Sequence, residues 1–141
     1  MKLEITLVIA AAAALLNLWL ATRVGRMRTA HKISVGDGGN EFVIRRMRAH
    51  ANYTEYTPFF LILLALVELA WGSNPWLWGA AIIFILGRIA HAFGMDGNEK
   101  LRATGTVTTL LVLLGLAIYA LVIAYWGLAF EGADVTAPIT A

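Results

Sequence analysis

The sequence predicts an all-α integral membrane protein: one domain, a bundle of four transmembrane helices. Three observations predict it. Hydrophobic residues make up 60% of the 141 positions and charged residues 14%, whereas soluble domains run at roughly 45–50% apolar and about 25% charged. The apolar residues fall in four long blocks, each close to the roughly 20 residues that a spanning helix needs. Ten of the eleven Lys and Arg residues lie on one side of those blocks.

The first block covers about residues 3–21 and is read as a retained helix, because no small-residue cleavage site separates it from the charged segment that follows. The second covers about 49–71, with polar residues in its first half. The third covers about 76–95 and the fourth about 103–126. Gly72-Ser73-Asn74-Pro75 is a tight turn built of turn formers. Trp71, Trp76 and Trp78 flank it as an interfacial aromatic belt, and Tyr125 and Trp126 mark the same interface on the fourth block. The segment from Glu131 to Ala141 reads as a loosely ordered tail.

Two polar connections remain. Residues 22–48 carry Arg23, Arg26, Arg28, Lys32, Arg45, Arg46 and Arg48 around a flexible turn at Val35–Asn40, with His31 a solvated loop residue. The other connection runs from Met95 to Arg102. With an even number of spans both lie on one side. The positive-inside rule then puts these loops in the cytosol and both termini outside; a bacterial inner membrane is the expected location. There is no cysteine, so a thiol used in chemistry must arrive on a substrate.

Polar residues inside a span are costly and mark function by default. Glu55 lies 16 residues before Trp71, roughly 24 Å from the outer interface at the helical rise. Arg48, Asn52 and Glu55 stand at i, i+4 and i+7 and form one polar stripe, with Tyr56 beside it. The stripe is either an ion-pair ladder fastening helices or a site for a polar ligand, and three polar groups on one face favour the site. Pro58 predicts a kink. His50 lies about 200° around the helix from Arg48. Arg88 and His91 share a face of the third helix; His91 is either a ligand contact and proton shuttle or a satisfied structural histidine. Arg102 is either a snorkelling anchor or a fixed cation in the mouth of the bundle, with Thr106 and Thr109 continuing its face. Glu68 reaches the outer interface, and Asn17 serves as interhelical glue. No His or carboxylate pair has metal-ligand spacing, so no metal is expected; nor is a nucleic-acid partner. The mouth suits a small anionic hydrophilic molecule, because guanidinium groups bind carboxylates bidentately.

The stretch Arg48-Ala-His-Ala-Asn-Tyr-Thr-Glu-Tyr-Thr-Pro58 resembles the second-helix signature of the MAPEG family, the membrane-associated proteins in eicosanoid and glutathione metabolism. Gly87-Arg88-Ile-Ala-His91-Ala-Phe-Gly94, Leu101-Arg102 and the basic run Arg23-Val-Gly-Arg26-Met-Arg28 agree with it. The resemblance, to a bacterial-type microsomal glutathione transferase, implies a homotrimer with glutathione sites at subunit interfaces facing the cytosol. It implies glutathione as co-substrate and transferase, peroxidase or isomerase chemistry on a lipophilic electrophile delivered by membrane lipid. Carried over by position, Arg48, Asn52, Glu55 and Tyr56 look like the glutathione-holding set, with His50 at a motif position. Arg26 or Arg28 resembles a basic residue donated from the end of the first helix. Arg88 and His91 look like third-helix contributions, and Arg102 is similar to the arginine that activates the thiol.

The chain departs from the family pattern at Met95, where the leukotriene- and prostaglandin-forming members carry tyrosine, and at Ala51, which replaces a cationic residue of some members. Both argue against those eicosanoid activities. A glutathione transferase or peroxidase is therefore the expected activity. The competing classes are a small multidrug-type transporter, whose intramembrane Glu usually lies in the first helix, and a glutathione-binding membrane protein without turnover.

Overall fold

The computed structural model describes residues 2–134, with side chains to residue 127. Four helices make up the fold: α1 (Glu4–Ala30), α2 (Glu41–Trp71), α3 (Pro75–Gly94) and α4 (Glu99–Asp134). All four are long and apolar enough to cross a membrane, and no strand occurs among the described residues. Residues 135–141 of the expected loose tail lie outside the described residues, whereas residues 131–134 belong to α4.

The helices outrun the apolar blocks at the basic end of the bundle, the end that carries the α1–α2 and α3–α4 connections. α1 continues to Ala30, while α2 and α4 start at Glu41 and Glu99, ahead of the expected 49 and 103. Hydropathy marks where lipid ends, but a helix stops only where its backbone groups find other partners. The 31 residues of α2 span about 46 Å at the helical rise, beyond the roughly 30 Å of bilayer core. Asparagine caps set the starts. Asn40 Oδ1 accepts from the amides of Phe42 and Val43, Asn74 Oδ1 from Leu77, and Asn98 Oδ1 from Leu101.

α2 and α3 lie between α1 and α4, whose Cα atoms stay more than 8 Å apart among the described residues. Toward the far end the core is apolar: Phe60 and Phe84 stack with centroids 3.7 Å apart, against the fully buried Leu64 and Ala81. Close packing of this kind holds helices together where lipid removes the usual hydrophobic drive. Trp71 and Trp76 are exposed beside the α2–α3 turn, as are Tyr125 and Trp126 on α4, consistent with the expected belt.

α1 has no cap of its own. Glu68 supplies one from α2. Its Oε1 accepts from Ile5 N at 2.9 Å and Ser73 Oγ at 2.7 Å, and its Oε2 from Thr6 N at 2.8 Å and Thr6 Oγ1 at 2.7 Å. Glu68 is only 1% exposed. At the far end of the bundle it turns inward onto α1 and not to solvent, because the unsatisfied amides of a helix N-terminus attract a carboxylate. At the opposite end α3 and α4 meet backbone to backbone. A Cβ on Gly105 would lie 2.5 Å from Gly87 O and 2.6 Å from His91 N, and one on Gly94 would overlap the backbone nitrogen of Arg102. Absent side chains thus let the start of α4 close onto the end of α3.

Candidate functional site

The tight α3–α4 seam sets the wall of an open cavity of about 330 Å³ at the basic end, lined by Arg48 and Asn52 of α2, His91 and the following Met95, and Arg102, Ala103 and Thr106 of α4. Two arginines face it and no carboxylate lines it. Arg48 and Arg102 are exposed, and neither guanidinium makes a hydrogen bond or ion pair with a described residue. Asn52 ties the cavity to a buried cation behind it. Arg88, 1% exposed, donates from Nη2 to Asn52 Oδ1 at 2.8 Å and from Nη1 to Thr109 Oγ1 at 3.2 Å. Thr109 accepts that bond because its own hydroxyl proton goes to Gly105 O, at 2.8 Å. The rings of Tyr53 and Tyr56 lie 5.8 and 5.9 Å from the Arg88 guanidinium carbon, within cation–π range. Arg88 has no ion pair among the described residues, and its Nε is buried without a partner.

Charge of one sign, concentrated in a concave and partly desolvated place, calls for an anion. Bidentate guanidinium recognition of a carboxylate is the chemistry that Arg48 and Arg102 offer there.

The family model described as MAPEG family matches residues 6–122. The chain belongs to the MAPEG family. It is similar to the inner membrane protein YecN of Escherichia coli strain K12, with 28% identity over 120 residues that cover 84% of this chain and 91% of that protein. The YecN protein of E. coli O6:H1 matches with the same identity and coverage.

The MAPEG signature stretch points in three directions. Arg48 and Asn52 face the cavity, and Tyr56, half-buried, turns its ring toward Arg88. His50 turns the other way: its Nε2 meets Asn17 Oδ1 at 2.8 Å. The structure places His50 in the α1–α2 contact, outside the cavity of this chain, as its angle from Arg48 requires. Asn17 is the interhelical glue that was expected of it. Glu55 is exposed, outside the cavity lining and without a hydrogen bond or ion pair to a described residue. It shares the stripe with Arg48 and Asn52, about 60° around α2 from Asn52, but at the exposed edge of that face.

The two helix-one candidates also lie outside the cavity of this chain. Arg26 is exposed, and Arg28 is half-buried with Nη2 3.5 Å from Met47 Sδ. Arg23, read from sequence as a residue that merely sets topology, is 9% exposed. It donates to Ala92 O at 3.2 Å and pairs with Asp96, which Arg46 reaches from α2 at 3.3 Å. The Trp19 ring lies 4.7 Å from its guanidinium carbon. This network binds α1, α2 and the α3–α4 turn just beside the cavity. Its sequence signal was Asp96, an acidic residue in the connection opposite the basic run.

Proposed function

We propose that this MAPEG-family membrane protein is a glutathione transferase with peroxidase capacity, seated in the bacterial inner membrane with the basic end toward the cytosol. The observation that carries the reading is the cavity itself: Arg48, Asn52, His91 and Arg102 face one volume that no carboxylate lines. Glutathione has two carboxylates and one ammonium. Arg48 holds a carboxylate, Asn52 a peptide group, and the buried Arg88 fixes Asn52 and adds positive potential. The inner-membrane description of the YecN relatives supports the location, and the positive-inside rule the orientation.

Arg102 faces the thiol. A free thiol ionises near pH 8.5, and the thiolate is the nucleophile. A fixed guanidinium in a low-dielectric place favours the thiolate and raises its population at neutral pH. The thiolate then attacks a lipophilic electrophile dissolved in the bilayer, and holding both reactants in one place supplies the proximity term.

A homotrimer completes the site. Glu55 sets an unpaired carboxylate on the membrane-embedded surface of α2, where facing lipid is costly. A second copy covering that surface brings Glu55 opposite the ligand ammonium, and Arg26 or Arg28 from one subunit reaches the cavity of the next. The test is conjugation of glutathione to a chloronitrobenzene by the purified protein, with Arg102→Ala as the comparison. Loss of rate with folding intact supports the role of Arg102; an unchanged rate removes it. Saturable glutathione binding without turnover of any electrophile would make the protein a binder.

A further inference from the structure

We propose that His91 is the proton carrier of this site, taking the proton of the ligand thiol and returning it to a strongly basic leaving group; the inference rests on the glutathione reading above. Three observations converge on His91. It is 5% exposed yet lines the cavity. Its Nδ1 is wholly buried without a hydrogen-bond partner. Its backbone and Cβ are held against α4 by the helix seam, since a Cβ on Gly105 would fall 2.7 Å from His91 Cβ. A structural histidine engages its ring nitrogens, as His50 does with Asn17; His91 spends neither on a described residue.

Arg102 lines the same cavity, so a permanent cation and a side chain that can take and return a proton share one space with the ligand thiol. Arg88 and Arg102 are the charged groups that act on the ring, and both repel a positive charge there, so a proton taken up is readily given back. The thiol gives its proton to a ring nitrogen: the S–H bond breaks, an N–H bond forms, and the electron pair stays on sulfur opposite Arg102. The thiolate attacks the terminal oxygen of the hydroperoxide. An S–O bond forms, the O–O bond breaks, and the alkoxide leaves with that electron pair. Alkoxides are strongly basic, so departure is aided by the imidazolium proton; an alcohol leaves and the ring is restored. A second glutathione thiol attacks the sulfenic acid, giving disulfide and water. Attack on a halonitroarene expels a weakly basic halide instead, and that departure needs no proton.

The experiment compares wild type, His91→Gln and His91→Phe with glutathione and three electrophiles. These are an alkyl hydroperoxide, a percarboxylic acid whose carboxylate leaves unaided, and a chloronitrobenzene. General acid catalysis contributes about 100-fold or more. His91→Gln is therefore expected to lower all three rates through the lost acceptor of the thiol proton, and alkyl hydroperoxide reduction about 100-fold further. The percarboxylic acid, measured on the same preparation, separates proton donation from misfolding. Equal losses on all three electrophiles, or no loss on the hydroperoxide, overturn the proposal while leaving wild-type glutathione conjugation standing. A wild-type protein that neither binds glutathione nor turns over any electrophile overturns the glutathione reading as well.

Discussion

Gly94 and Arg102 touch through their backbones: a single added carbon at Gly94 would collide with the amide nitrogen of Arg102. This contact places an arginine at the cavity mouth through the shape of two helix ends, without a hydrogen bond to its side chain. Gly105 does the same for His91 one turn further in. Gly94→Ala and Gly105→Ala should each cost about 1–3 kcal/mol by overpacking. Each should also reduce glutathione conjugation more than Gly79→Ala, a change with open space around it. Thermal unfolding in detergent and the conjugation rate measure both. Alanine variants as stable and active as wild type would show that the seam does not position Arg102.

Arg88 should be intolerant of lysine. Its planar fork serves Asn52 and Thr109 at once, whereas an ammonium is a point charge that does not reproduce the fork. Arg88→Lys is expected to weaken glutathione binding about tenfold. Asn52→Leu, which leaves a buried guanidinium without one acceptor, is expected to destabilise by about 1–3 kcal/mol. Calorimetric titration and thermal unfolding read the two effects, and a neutral Arg88→Lys would contradict the role given to the fork.

The fold was legible because lipid imposes a coarse rule: long apolar blocks, turns between them and charge on one side. The helix ends were less so, since Asn40 and Asn98 continue the helices into the charged segments by capping them. In the site, the i, i+4 spacing joined Arg48 to Asn52, the placement of His91 and Arg102 near the polar end made them candidates, and the resemblance gave them roles. The spacing of His50 already set it on another side of α2 from Arg48, and Asn17 is the partner it meets there. The partners of Glu68 and Arg23 were not legible for one physical reason: Ile5 and Thr6 for one and Asp96 for the other are remote in sequence. A helical-period reading sees only neighbours along the same helix.

Glu68 should matter for stability and not for the ligand. In Glu68→Gln an amide group would face donors that now meet a carboxylate oxygen, at a cost of about 1–3 kcal/mol. It stands 16 residues from Asn52 along α2, about 24 Å at the helical rise, so glutathione affinity in the folded fraction should match wild type. A variant that unfolds like wild type would show that the carboxylate does not anchor α1.

Asp96→Asn should loosen the basic end. It removes the counter-charge of the buried Arg23 and of Arg46. The Asp96 side chain is 34% exposed, so solvent screening limits the expected loss to about 1–2 kcal/mol. Hydrogen exchange should quicken at the α3–α4 turn before the far end of the bundle responds. Uniform exchange across all four helices would contradict a local role.

The central claim is that this cavity binds a thiol-bearing anion and ionises it against Arg102. The most direct measurement is the ultraviolet difference absorbance of the glutathione thiolate during titration of the purified protein at neutral pH. Wild type should develop the thiolate signal saturably, and Arg102→Ala should bind glutathione while losing most of that signal. The absence of saturable binding in wild type, or an equal thiolate signal in Arg102→Ala, would contradict the account.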